Sequence, residues 1–464
     1  MIANGPSTTP AVAEPRQAAL PGARLALILL LTINLFNYID RYILAAALTP
    51  IQRELFGEGG PSHKAMAGLL TTAFMVSYMV MAPLFGWLAD RWSRWWLVAI
   101  GVVLWSLASG ASGLAATFGI LLLTRCFVGV GEAAYGPVAP TVISDLYPVK
   151  VRGQVLAWFY AAIPVGSALG YVWGGLFAGS SLGWRWAFYL VVPPGLLLGL
   201  WCLLMPEPPR GQADLDQPSR KRRARLEDYR ILFRTKSYVL DTLGMTAMTF
   251  AVGGISAWMP DYILGYRGEH HNDSDIAQVN LIFGAIVVVA GLSATLLGGV
   301  VGDRLRTRFP GSYFLVSGIS MLVAFPLFLA VLVAPFHPFP WAWVLIFLTC
   351  FFLFFNTGPS NTILANVTHP AIRATGFALN IFVIHALGDA ISPTVIGGIA
   401  DATATVNEQG RSIGNMNAGF AFVSLMILVG GVLWLWGTRY LKEDTELAPR
   451  RLDGSDDDPR LTAL

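Results

Sequence analysis

The chain has 464 residues, 55% of them hydrophobic and 13% charged, about half the charged share of an ordinary soluble domain, so water cannot be the solvent for most of its surface. A net charge of +3, with no basic face interleaved with aromatics outside the loops, argues against nucleic acid as a partner. Cys126, Cys202 and Cys350 each fall in an apolar segment without paired spacing, which indicates neither a disulfide framework nor a zinc site, and no metal or cofactor is expected.

Residues 1–24 are polar and rich in Ala and Pro, with no signal-peptide core, and are expected to stay in the cytoplasm. Apolar runs follow at 25–49, 65–89, 95–116, 118–146, 151–179, 183–205, 238–264, 276–302, 312–334, 340–367, 372–400 and 413–438, each longer than the ~20 residues a bilayer core requires. Lipid offers backbone groups no partners, so these segments must be helices. The expected fold is an all-α membrane protein of twelve transmembrane helices. Residues 25–205 form one six-helix half, 206–237 a basic linker, 238–441 a second six-helix half and 442–464 a tail. Lys and Arg concentrate on one side, at Arg91, Arg94, Lys150, Arg152, the run 210–236, Arg304, Arg306, Arg308 and Arg373. The positive-inside rule then puts both termini in the cytoplasm, with the bundle in the inner membrane. The Arg220–Arg225 cluster in the linker sets topology or docks anionic lipid.

Two sequence echoes suggest that the halves are copies of one design. Gly86-Trp-Leu-Ala-Asp90-Arg91 recurs as Gly299-Val-Val-Gly-Asp303-Arg304, six segments later. Asp145-Leu-Tyr-Pro-Val-Lys-Val-Arg152 is echoed by Asn366-Val-Thr-His-Pro-Ala-Ile-Arg373, where the acid is replaced.

Over essentially its whole length the chain resembles the major facilitator superfamily. The loop Gly86-x-x-x-Asp90-Arg91-x-x-Arg94 is similar to that family's signature, with Ser93 and Trp95 departing from it. A carboxylate at a helix end beside two guanidiniums suits a reversible cytoplasmic gate. Its expected members are Gly86, Asp90, Arg91, Arg94 and Asp145, with Asp303 and Arg304 in the second copy. The stretch Gly166-x-x-x-Gly170-Tyr171-x-x-Gly174-Gly175 looks like the superfamily's antiporter motif, with Tyr171 where Pro is usual.

A narrower resemblance is to the spinster family of lipid transporters. It rests on Asn37-Tyr38-Ile39-Asp40-Arg41, Gly131-Glu132-Ala-Ala-Tyr135 and His385-Ala-Leu-Gly388-Asp389-Ala390-Ile-Ser392-Pro393. The resemblance implies transport of amphiphiles like sphingosine-1-phosphate or lysophospholipids, with proton coupling.

Independently of that resemblance, ionisable groups at membrane depth mark pathways, because each costs ~3 kcal/mol even on a lenient scale. On the first helix Asn37, Tyr38 and Arg41 share a polar stripe with Asp40 at its side; on the fourth, Arg125 and Glu132 share a face. The pairs Arg41 with Glu132 and Asp40 with Arg125 are both feasible, as a fixed charge network or as a site. Asp40 and Glu132 are the expected proton-coupling groups. Arg41, Arg125, Asn37, Tyr38 and Tyr135 are expected to bind substrate or partner those charges. His385 and Asp389, four apart, form a relay or a packing pair, with Pro393 at a hinge. The second half looks nearly free of buried charge: Thr246, Thr249, Phe250, Trp258, Asn356, Thr357 and Asn361 suit an apolar tail.

An enzyme is not expected, since Gly-x-Ser-x-Gly, His-Glu-x-x-His and nucleotide-loop patterns are missing. The reading is a monomeric secondary transporter of a lipid-like substrate, working by alternating access with protons as partners and membrane lipid as surroundings. A proton-linked drug or organic-anion carrier of the same fold is the alternative.

Overall fold

A computed structural model describes residues 19–47, 51, 54–55, 64–178, 180–211, 226–263, 273–334, 341–406, 412–413 and 415–452. Among these, eleven helices are long and apolar enough to cross a membrane. The remaining span, the fourth, is present in two pieces, Phe118–Ala133 and Ala139–Leu146, and completes twelve.

The sequence reading expects 118–146 to be continuous. The break has a local cause: Pro137 has no N–H to donate and its ring opposes the carbonyl four residues back. Ala134, Tyr135 and Val138 instead make tight i→i−3 bonds to Gly131, Glu132 and Tyr135. The eleventh span is also interrupted. Arg373–Ile384 passes through a π-turn, His385–Asp389, in which Gly388 takes φ −103° and ψ −107°, before Ser392–Ala402 resumes. Between the eleventh and twelfth spans Thr405–Val406 pairs antiparallel with Ser412–Ile413, the only strand pairing among the described residues.

In the first half, the first span (Ala23–Ala46) packs along the fifth (Val149–Ala178), the second (Lys64–Ala89) along the fourth, and the third (Arg94–Gly113) between the fourth and the sixth (Arg185–Tyr189 and Val192–Leu203). In the second half the seventh (Lys236–Asp261) and ninth (Ser312–Val331) both pack on the twelfth (Met416–Gly437), and the eighth (Asp273–Arg306) on the tenth (Trp341–Phe354 and Thr357–Val367). Across the halves, the second span meets the eleventh and the fifth meets the eighth. These two seams are counterparts under the exchange of halves.

Glycines set how closely the seams approach. A Cβ on Gly86 would lie 2.5 Å from Ala378 Cβ and 2.8 Å from Ala374 O, and one on Gly299 would lie 2.4 Å from Ala157 Cβ and 2.7 Å from Gly153 O. The residues that echo each other in sequence are therefore the ones at which the two halves touch.

Among the described residues, the linker ends and the segment after the twelfth span as far as Leu452 are tied to the bundle. Arg210 donates to the carbonyls of Ala89 (2.7 Å) and Trp92 (2.8 Å). The helix Leu441–Leu447 docks on the start of the seventh span, where Asp444 accepts from Ser237 N at 2.8 Å and pairs with Arg451. The Arg220–Arg225 cluster lies outside the described residues.

Candidate functional site

Two sites emerge, one at the end of the bundle and one at mid-depth. At the end, Asp90 follows the second span and accepts from the N–H groups of Ala374 (2.9 Å) and Thr375 (3.1 Å) and from the Thr375 hydroxyl. Those N–H groups belong to the first turn of the eleventh span, where donors lack intrahelical partners and the helix dipole favours a negative charge. The second copy does the same: Asp303 Oδ2 accepts from Gln154 N at 2.7 Å, in the first turns of the fifth span, while Oδ1 accepts from Tyr313 at 2.7 Å.

The second echo is reciprocal as well. Arg373 donates to Asp145 at 2.8 Å and Arg152 to Asn366 Oδ1 at 2.6 Å, so each copy's guanidinium crosses to the other half's helix end. The Asn that replaces the acid remains an acceptor. Asp145 also pairs with Arg94 at 2.5 Å.

Of the expected gate residues, Gly86, Asp90, Arg94, Asp145 and Asp303 converge here. Arg91 turns toward Trp87, 4.2 Å from its ring, and donates to Tyr229 at 2.6 Å. Arg304 is exposed and its side chain makes no hydrogen bond or ion pair among the described residues; Arg306 reaches Val149 O at 2.8 Å in its place. Glu207 was not anticipated. It accepts from Arg94 Nε (2.7 Å) and caps the third span through the Ser93 hydroxyl and Arg94 N, both at 2.9 Å. Its position just past the sixth span, inside the rigid Pro206-Glu-Pro-Pro209, was the only signal for it.

Burial pushes the Asp90 carboxyl up to about 7, outweighing the bonds from Thr375 and Ala374, which lower it. At Glu207 burial also raises the carboxyl, but Arg94, Ser93 and Arg210 together more than offset it and hold the group below its ordinary range.

At mid-depth, Arg41 on the first span donates Nε–H to Glu132 Oε2 on the fourth at 2.6 Å. Its guanidinium lies 4.9 Å from the ring centroids of Tyr38 and Phe74 and 5.1 Å from that of Tyr78. Asn37 Nδ2 and Glu132 Oε1 are both buried without a hydrogen-bond partner. Tyr78 meets His385 edge-on at 5.9 Å, and His385 Nδ1 lies 3.0 Å from Asp389 Oδ1, so the two halves touch at this level through rings. Tyr78 is twelve residues from Asp90 and His385 twelve from Arg373, which places the site ~18 Å from the closed end.

Other expected members sit elsewhere. Asp40 and Arg125 do not pair with each other: Asp40 accepts from the Ser109 hydroxyl, and Arg125 donates to Ser112 at 2.8 Å, both serines being on the third span. Tyr135 is buried behind the first span and donates to Leu30 O at 2.6 Å, so it does not face the Arg41 site. Pro393 provides its carbonyl to Trp258 Nε1 at 2.9 Å. The second half is not without buried charge either. Asp241 on the seventh span is fully buried and accepts from Trp434 Nε1 at 2.9 Å.

Residues 30–393 match the Major Facilitator Superfamily. Spinster homolog 3 of Danio rerio is 33% identical over 477 residues, covering 100% of this chain and 94% of that protein. The sphingosine-1-phosphate transporter SPNS2 of the same species is 33% identical over 434 residues, covering 90% and 85%. Among solved structures, a bacterial homologue of the human lysosomal transporter Spinster, inward-facing and unoccupied, superposes with a TM-score of 0.58 at 22% identity, covering 92% of this chain and 98% of that one. The chain is a membrane transporter of the major facilitator superfamily and belongs, within it, to the spinster family.

Proposed function

We propose that the chain is a secondary active transporter, working by alternating access with proton coupling, that carries an amphiphilic lipid-like substrate of the sphingoid or lysophospholipid type. The observation that carries this reading is the Arg41–Glu132 pair inside its aromatic surround. A guanidinium is the side chain best suited to a phosphate head group. A substrate anion that takes Arg41 leaves Glu132 without its counter-charge in a dry site, where a carboxylate is costly and a proton from water neutralises it. Binding of the anion and uptake of the proton are then linked, as coupled transport requires. Asp40, on the other side of the first span, is the second proton group.

The apolar tail is given to the second half, where Phe250 and Phe422 meet edge-on at 5.7 Å and the seventh span also carries Trp258. The basic Asp90 end is assigned to the cytoplasmic side of the inner membrane by the positive-inside rule, and on that assignment the contacts that close it correspond to an outward-facing state. The relative named as a sphingosine-1-phosphate transporter supports the substrate class.

Counterflow of a fluorescent lysophospholipid in proteoliposomes tests the reading. Saturable counterflow that needs Arg41 is expected; movement no faster than in protein-free liposomes contradicts it, and saturable counterflow of an organic anion without an acyl chain supports the organic-anion alternative instead.

A further inference from the structure

The two carboxylates assigned to proton coupling lie on opposite sides of the first span. Glu132 shares the Arg41 face, whereas Asp40 points into the interior of the first half, toward the third and sixth spans. There the third span carries Ser106, Ser109 and Ser112, spaced three apart on one face and all buried. Ser109 donates to Asp40 Oδ1, Ser112 accepts from Arg125 at 2.8 Å and meets Thr124 at 2.8 Å, and Ser106 donates to Val102 O at 2.7 Å.

Asp40 Oδ2 is buried and has no hydrogen-bond partner in the protein. Beside it is a cavity of about 10 Å³ lined by Asp40, Ser106, Ser109, Trp105, Val191 and Gly195, the size that one water requires. Gly195 keeps it open, because a Cβ there would lie 2.0 Å from Ser106 Oγ. The charged groups acting on Asp40 are Arg125 and Arg41, with Glu132 opposing, and the residues of the third and sixth spans that line the cavity bring none that titrates.

We propose that this side cavity is a single-water site through which Asp40 exchanges its proton, separate from the Arg41–Glu132 face, with Ser106 and Ser109 as positioning residues. The water passes one proton to Asp40 Oδ2 and receives one from the solvent side, so its own composition is unchanged; release runs the same steps backward. Ser109 holds Oδ1, which leaves Oδ2 for the water, and the Ser106 hydroxyl supplies the second polar contact. The inference rests on the reading of Asp40 as a proton-coupling group.

The test is pH-difference infrared spectroscopy of the full chain in lipid, in H₂O and D₂O, with Asp40→Asn used to assign the Asp40 carboxyl band. Ser109→Ala, which removes the donor on Oδ1 of the charged form, is expected to move the titration midpoint of that band toward higher pH by about one unit, and Ser106→Ala, which removes an acceptor for the water, is expected to change the deuterium exchange of the band. Ser109→Thr, which keeps the hydroxyl, is expected to restore it. Gly195→Ala, which places a methyl group in the cavity, is expected to slow deuterium exchange of the band. If the band is present and none of the alanine variants changes its midpoint or exchange, the side cavity is not the route and the inference fails while Asp40 remains a proton group. If no pH-dependent band is lost in Asp40→Asn, the underlying reading of Asp40 fails first.

Discussion

Arg41 and Glu132 are ninety-one positions apart in the chain, yet Nε–H of one lies 2.6 Å from Oε2 of the other, with the Glu132 side chain fully buried and that of Arg41 17% exposed. Removing one partner of a buried pair strands the other, at a typical cost of ~3–5 kcal/mol when the group left behind cannot neutralise itself. Glu132 can neutralise itself by taking a proton. Arg41→Ala is therefore expected to remain folded and to bind an anionic lysolipid at least about tenfold more weakly, the loss of one charge-assisted contact. Thermal-shift titration checks this, and unchanged affinity in a folded variant removes Arg41 from the binding site.

Asp90 is expected to make the closed end pH-dependent. Its carboxyl stands at about 7 when buried against the eleventh span, and returns toward the ordinary 3.8 when that end opens to water. The closed state thus binds a proton that the open one does not between those values. Its advantage is fully present below about pH 4 and is lost as pH rises through about 7. Spin labels at Trp92→Cys and Arg308→Cys, both exposed positions, should report a larger short-distance population at pH 5.5 than at pH 8. Asp90→Asn should flatten that dependence, and Asp90→Ala, which leaves the Ala374 and Thr375 donors uncapped at ~1–2 kcal/mol, should favour the long distance at every pH.

The glycine seams give a prediction that involves no charge. Because Gly86 faces Ala374 O and Gly299 faces Gly153 O, both backbone atoms that cannot turn aside, Gly86→Ala and Gly299→Ala should each push the same label pair toward the long distance. The double variant should do so further, since the seams are separate contacts. A distance distribution identical to that of the parent in both single variants would show that the seams tolerate a methyl group and do not set the closed state.

Asp241 and Trp434 form the buried polar contact that ties the seventh span to the twelfth. Asp241→Ala leaves the indole N–H buried and unpaired, at ~1–3 kcal/mol, whereas Asp241→Asn keeps an acceptor in place. Thermal unfolding in detergent should rank parent and Asp241→Asn together and Asp241→Ala several degrees lower; equal melting of all three would mean that the contact contributes nothing to stability.

The features that proved legible in sequence are those in which one residue type at one spacing has few uses. The twelve apolar runs follow from the expense of bare backbone in lipid, Asp90 and its copy Asp303 from the repeated loop, and the pair of Arg41 with Glu132, one of two feasible pairings, from the expense of bare charge at membrane depth. The positions that misled have partners set by helix rotation, which a single sequence constrains weakly. Asp40 and Arg125 are close in depth, and each turned to a serine of the third span rather than to the other. Tyr135 reads as part of the Glu132 motif but points behind the first span. Asp241 stands five residues into the seventh span, and whether it faces water or the bundle there is decided by packing, which buries it. Glu207 lies in a segment that composition marks only as linker.

Uptake of a fluorescent lysophospholipid into proteoliposomes, measured with and without an imposed pH gradient for the parent chain and Glu132→Gln, tests the central claim most directly. The account predicts gradient-stimulated uptake by the parent, and in Glu132→Gln a loss of that stimulation with counterflow at equal pH retained. Full gradient stimulation in a folded Glu132→Gln would contradict it, leaving Arg41 and Glu132 as a fixed brace between the first and fourth spans.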